Sequence, residues 1–124
     1  MLLDSNLIIY ATQPAHAALR DFIAANNPAV SAVSYVEVLG FHRLTDDVRH
    51  IFERFFASSE ILQIIPPILD GAVALRQQKR MSLGDALVAA TALEHGRTLL
   101  THNVRDFEWV PGLQVLDPLD GASP

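Results

Sequence analysis

Four acidic residues stand where a carboxylate is hard to read as plain surface charge. Asp4 interrupts an apolar run, with Met1-Leu2-Leu3 before it and Leu7-Ile8-Ile9-Tyr10 after it. Glu37 closes Ser34-Tyr35-Val36-Glu37, Asp85 closes Ser82-Leu83-Gly84-Asp85, and Asp106 follows Asn103-Val104-Arg105. Each alone has a purely structural reading. Both serine tetrads fit the capping box, in which a serine and an acid three residues on satisfy free helix N–H groups. Asp4 suits an N-cap, and Asp106 suits a turn opened by Asn103. The other acids, such as Asp46, Asp47, Glu53, Glu60 and Glu94, fall on amphipathic faces or in loops and read as solvated.

Surroundings argue for chemistry as well as capping. Leucines flank Asp4, and Val88-Ala89-Ala90 follow Asp85 with little to solvate that stretch. If the carboxylates converge within ~5 Å, each pair repels by about 3 kcal/mol at an effective dielectric near 20. Such a cluster must take up protons or cations, and at least one of its pKa values should rise. Oxygen donors without cysteine or paired histidine select a hard divalent ion, Mg²⁺ or Mn²⁺. Magnesium keeps part of its water shell and favours substrate phosphate, so the pattern suits phosphodiester chemistry.

Composition bounds the alternatives. The 124 residues make one domain, long enough to bury about two thirds of the surface of the unfolded chain. There are no cysteines, and His16, His42, His50, His95 and His102 show no zinc-ligand spacing. The start of the chain lacks a basic, apolar leader, and no apolar run approaches the ~18 residues of a membrane span. The expectation is a soluble cytoplasmic protein. A net charge of −5 argues against gripping nucleic acid with the whole surface. Any such contact must be local, and Arg76, Lys79 and Arg80 in "RQQKRM" form the best candidate patch. The same residues also read as a solvated helix end favourable to the helix dipole.

Elements that would position these residues alternate. Strands are expected at Met1–Leu3, Ala29–Val33, Ile61–Ile65, Thr98–Thr101 and Leu113–Leu116. Helices are expected over Leu7–Ala11, from Pro14 to the Asn26-Asn27-Pro28 breaker, from Ser34 through Phe41, around Val48–Phe56, and over Ile68–Arg80 and Leu83–His95. Pro66-Pro67 is read as closing the third strand, Gly96 as stopping the last helix, and Asp117–Pro124 as a loose tail. Alternation of this kind predicts an α/β domain with a mostly parallel sheet, whose ligands bind beyond the carboxyl ends of the strands near the point where strand order reverses.

These residues are where the chain resembles the PIN-domain ribonucleases, in particular the VapC toxins of bacterial type II toxin–antitoxin pairs. "LLDSNLIIYA" is similar to that family's first strand and Asp-Thr-Asn turn, and "SAVSYVEVLGF" to its Ser-x-x-Glu helix. "LGDALVAATALEHG" resembles its third-acid helix, and "TLLTHNVRDF" with "PGLQVLDP" its closing segment. The match runs in order over residues 1–118, taken as the PIN-like domain, with 119–124 a short C-terminal tail. The resemblance implies a five-stranded sheet flanked by helices, with Asp4, Glu37 and Asp85 as metal ligands and Asp106 as a fourth acid or second-metal ligand. It implies that Asn6 and Thr101 orient carboxylates or water and that Asn103 shapes the edge. It further implies Mg²⁺- or Mn²⁺-dependent hydrolysis of RNA leaving a 5′ phosphate, a homodimer, and a VapB-like antitoxin that blocks the acidic groove. Ser5 stands where the family more often has threonine, and His102 where arginine is common.

Rival readings are an Asp-nucleophile phosphatase, which wants a second aspartate where Asn6 stands, a PIN-fold binding module without turnover, and a free-standing ribonuclease outside any toxin–antitoxin pair.

Overall fold

A computed structural model describes residues 1–119. Five short parallel strands, β1 (Leu2–Leu3), β2 (Ala29–Ser31), β3 (Ile61–Leu62), β4 (Leu99–Leu100) and β5 (Val115–Leu116), form one sheet in the order β3-β2-β1-β4-β5. Leu2 pairs with Ala29 on one side and Leu99 on the other, so β1 is the centre from which strand order runs outward in both directions. The crevice beyond its carboxyl end is therefore the switch point at which this class of sheet binds ligands. Asp4 is the next residue.

Neighbouring residues on each strand face opposite layers. Leu2, Ala29 and Leu99 pack with α5 (Pro66–Gln78), α6 (Leu83–Glu94) and Phe107 of α7 (Val104–Phe107). Leu3, Val30 and Leu100 pack with α1 (Ser5–Tyr10), α2 (Ala17–Asn26), α3 (Ala32–Leu39) and α4 (Asp46–Ala57). Helix α6 buries a nearly all-alanine face, and small residues let α5 lie close: a Cβ placed on Gly71 would stand 3.3 Å from that of Ala90.

Several boundaries differ from the sequence reading. The second strand stops at Ser31, whose hydroxyl accepts from the Val33 N–H at 3.1 Å and so caps α3 before Ser34 is reached. Ser34 is a buried residue inside the helix, and the Ser34–Glu37 capping box does not form. Pro66-Pro67 opens α5 instead of closing a strand, because a proline in the first helical turn forgoes an N–H that has no partner there. That helix also ends at Gln78, leaving Lys79 and Arg80 beyond it. The turn opened by Asn103 forms as read, with the Asp106 N–H donating to the Asn103 carbonyl at 3.1 Å, and it continues as the short helix α7. Two stops hold as read. Asn27 takes the left-handed conformation (φ 43°) before Pro28, and Gly96 does so (φ 61°) after α6.

The segment read as a loose tail is tied down at its start. Asp117 Oδ2 meets His102 Nδ1 at 2.9 Å, the Leu119 N–H donates to Asp117 Oδ1 at 2.9 Å, and Leu119 packs against the α1–α4 layer. Residues 120–124 of the expected tail lie outside the described residues. Among the described residues no helix is long and apolar enough to cross a membrane.

Candidate functional site

The site grows from the turn between β1 and α1. Leu2 and Leu3 carry Asp4 to the carboxyl edge of the sheet, where its Oδ1 accepts from the Ser5 N–H at 2.8 Å and caps α1. Its Oδ2 accepts from the Thr101 hydroxyl, also at 2.8 Å, and that hydroxyl accepts from the Asn103 N–H at 3.0 Å. The Asn103 amide commits the Thr101 lone pair, so the Thr101 proton is aimed at Asp4. Asp4 and Thr101 are both buried, at the ends of adjacent strands.

A second chain of hydrogen bonds reaches Glu37. The Ser5 hydroxyl lies 2.8 Å from Ser34 Oγ and 2.8 Å from Glu37 Oε1. An ionised carboxylate only accepts, so the single Ser5 proton goes to Glu37 and Ser34 supplies the proton between the two serines. Glu37 is thus held from the β1–α1 turn instead of capping its own helix. On its other side it leans on α6: a Cβ at Gly84 would stand 2.6 Å from Glu37 Oε2. Ser82 caps that helix by accepting from the Asp85 N–H at 3.1 Å. Among the described residues the Asp85 carboxylate returns no bond to Ser82, so only half of that capping box exists.

Electrostatics joins the acids into one field. Burial pushes Asp4 up to about 6, with the Asp85 and Glu37 charges adding to the rise and the Thr101 and Ser5 hydrogen bonds opposing it. Asp85 is raised first by its partial burial and then by the Asp106 and Glu37 charges, against the Ser82 hydrogen bond. The expected upward shift is present, but desolvation and not mutual repulsion is its largest cause. Among the described residues no three Asp, Glu or His side chains form a ready-made metal cluster. Glu37 is drawn toward Ser5 and Asp4 toward Thr101, which keeps like charges apart.

The donor set suits a hard divalent cation. Every donor is oxygen, the two shifted carboxylates lose stability by being ionised without a counter-charge, and Mg²⁺ takes one or two carboxylates with waters and substrate phosphate rather than an all-protein cage. One or two of Asp4, Glu37 and Asp85 would hold such an ion together with waters, with Asp106 beyond Asp85.

The remaining sequence-designated residues divide. Thr101 orients Asp4 through its side chain, whereas Asn103 acts through its backbone N–H. Asn6 is exposed on the first turn of α1, with no side-chain hydrogen bond among the described residues. Arg76, Lys79 and Arg80 line a groove of about 510 Å³ together with Met81, Ser82 and Asp85, and with Arg105, Asp106 and Trp109 from the other wall. The Arg76 Nε donates to the Met81 carbonyl at 3.1 Å, which bends the chain after α5 so that the basic residues face Asp85. The sequence reading missed Ser5 and Gly84 as neighbours of Glu37, and Arg105 and Trp109 as the far wall. The sequence signals at hand were a serine beside the first acid and a glycine beside the third.

The chain is similar to known proteins over part of its sequence and in its fold. A stretch of 41 residues, 32% of this chain, is 51% identical to Ribonuclease VapC1 of Rickettsia felis and spans 31% of that relative's length. A toxin–antitoxin complex from Klebsiella pneumoniae contains a chain of which 96% is covered, with 94% of this one, at TM-score 0.76 and 27% identity. DNA-bound VapBC from Salmonella typhimurium shares the fold at TM-score 0.81 and 20% identity, over 94% of this chain and 96% of that one. The family model that matches is the PIN domain, over residues 1–113, and with the parallel sheet and its acidic edge it establishes that the chain belongs to the PIN domain family.

Proposed function

We propose that this protein is a divalent-metal-dependent endoribonuclease, a VapC-like toxin restrained by a cognate antitoxin. The observation that carries the reading is the pair of desolvated, pKa-raised aspartates, Asp4 and Asp85, sharing one field with Glu37 and Asp106 at the sheet's switch point. The R. felis ribonuclease and the K. pneumoniae toxin–antitoxin complex supply the reaction class and the kind of partner.

A bound Mg²⁺ or Mn²⁺ would supply charge stabilisation on the phosphoryl group and a water of lowered pKa. The chain's own residues do the positioning. Asp4 presents a carboxylate fixed by the Thr101 hydroxyl and the Ser5 N–H, so its orientation needs no rearrangement when substrate arrives. Glu37, steered by Ser5, and Asp85, at the start of α6, complete the oxygen face. Asp106 stands on the substrate side of Asp85, where it can take a proton from an attacking water or hold a second ion. Arg76, Lys79 and Arg80 meet the phosphodiester backbone entering along the groove, which reconciles RNA binding with an acidic chain.

The opposite layer offers a seat for the antitoxin. An apolar groove of about 670 Å³ between α1, α2 and α4, with Ile8, Ile23, Ile51, Phe52 and Phe55 in its walls, matches the apolar face of a partner helix. Exposed Val36 on α3 and exposed Leu69 and Val73 on α5 are apolar positions that support self-association.

Cleavage of a mixed structured RNA with Mg²⁺ or Mn²⁺, with EDTA, and by an Asp4→Asn control tests the reading. Metal-dependent cutting that the variant loses is expected. A folded, metal-loaded, antitoxin-free protein that cuts nothing would favour a binding module of the same fold.

A further inference from the structure

The basic groove holds more than charge. Its far wall carries Trp109, the only tryptophan in the chain, and the Lys79 Nζ stands 5.5 Å from the centre of the indole ring. Trp109 packs against the α5–α6 core layer on one side, and its Nε1 donates to the Asp106 carbonyl at 3.0 Å. The hydrogen bond and the packing restrain the ring. Lys79, which lies over one face of the ring, lines the same groove as Trp109.

The cation over the indole occupies its electron-rich face, so a stacking ligand must displace it. Lys79 has no ion-pair partner among the described residues, and its four-carbon stem can swing aside. Arg80 and Arg105 lie in the same groove without a recorded ion pair among the described residues. A pinned aromatic plane between free cations is the equipment that single-stranded nucleic acid uses, with stacking for the base and charge for the phosphates. Paired bases are unavailable to such a plane, since their faces are already stacked on neighbours.

We propose that Trp109 is the platform for one unpaired base of the RNA, with Lys79, Arg80 and Arg105 on the flanking phosphates, next to the scissile position at Asp85. The groove's volume of about 510 Å³ falls within the range of small-ligand sites. A base that stacks on Trp109 must be unpaired at that position. This role of Trp109 rests on the ribonuclease reading for the identity of the polymer, but not for the stacking itself.

Trp109 fluorescence reports directly on its own ring. The full chain in EDTA, where no turnover occurs, is titrated with an eight-nucleotide single-stranded RNA, with a ribose-phosphate oligomer of the same length lacking bases, and with inorganic phosphate. The RNA should quench the emission with a saturating curve, and neither base-free probe should do so. Trp109→Phe, which keeps an aromatic plane, should hold the RNA within a few fold of the parent by competition with labelled oligomer. Trp109→Leu, which keeps the apolar packing, should weaken binding by about 5- to 150-fold, the equivalent of one lost base stack. Thermal melting of both variants confirms that they fold. Equal quenching by the base-free oligomer, or equal binding by the Phe and Leu variants, overturns the proposal. So does absence of any quench while the metal-loaded protein cuts RNA. Quenching by RNA in a protein that never cuts it would instead leave the platform standing and remove the ribonuclease reading.

Discussion

Replacing Asp4 by asparagine should make the metal-free protein more stable while abolishing its activity. Asp4 is 5% exposed and its pKa is raised to about 6, against about 3.9 in an unfolded chain. At 1.36 kcal/mol per unit, keeping it ionised in the native state costs about 3 kcal/mol at neutral pH. Asparagine removes the charge but keeps only one of the two acceptors. Its oxygen can accept from the Ser5 N–H, and its amide then faces Thr101 Oγ1, so the buried Thr101 hydroxyl loses its acceptor at a cost of about 1 kcal/mol. The sign follows from the raised pKa. The folded state binds the Asp4 proton more tightly, so its contribution is fully present below about pH 4 and is lost as pH rises through 6. Thermal or urea denaturation in EDTA at several pH values measures it. The parent should lose about 3 kcal/mol between pH 4 and 7 relative to Asp4→Asn, ending with the variant ahead by about 2 kcal/mol, on the order of 5–10 °C for a domain of this size. A variant that melts at or below the parent at pH 7 would show that Asp4 serves chiefly as the cap of α1, and the argument for a strained anionic site would fall.

Other perturbations test the parts separately. Gly84→Ala forces Glu37 Oε2 to withdraw by roughly 0.8 Å from a clash at 2.6 Å to reach ordinary contact. Melting should rise or stay level, since alanine suits a helix better, while metal-dependent cleavage falls by on the order of 10²-fold; full activity would mean that Glu37 need not stand there. Ser5→Ala removes the donor to Glu37 and strands buried Ser34, costing about 1 kcal/mol in a urea melt. Ser5→Thr should restore both stability and cleavage. Millimolar Mn²⁺ should stabilise the parent, by about 1.4 kcal/mol at ten times its Kd, read as a rise in melting temperature, and leave Asp4→Asn unmoved; an equal shift in both would place the ion elsewhere.

Much of this molecule could be read before folding. Alternation of β-branched and leucine-rich pairs with helical spacing foretells a parallel α/β sheet, because strands buried on both faces read as short apolar runs and their crossovers as helices. An aspartate directly after the first such run is marked by its neighbours alone. What neighbours do not mark is which of two local roles wins. Ser34 and Glu37 read as a capping box, yet Ser31 caps the helix three residues earlier and leaves both free to meet Ser5, which is 29 residues away from Ser34 and 32 from Glu37. Capping is a short-range bond that any nearby serine can satisfy, so sequence spacing cannot rank the candidates.

The sequence by itself determined the strand cores, the helix stops at Asn27 and Gly96, and the chemical type of the acidic donors, all of which depend on residues within a turn of one another. Only the tertiary structure decided that Thr101 aims its proton at Asp4 across 97 residues, that Gly84 makes room for Glu37, and that Trp109 and Arg105 face Lys79 and Arg80 across one groove. Those relations depend on strand order and on how closely helices pack, and burial shifts the carboxylates only once distant segments have excluded water from around them.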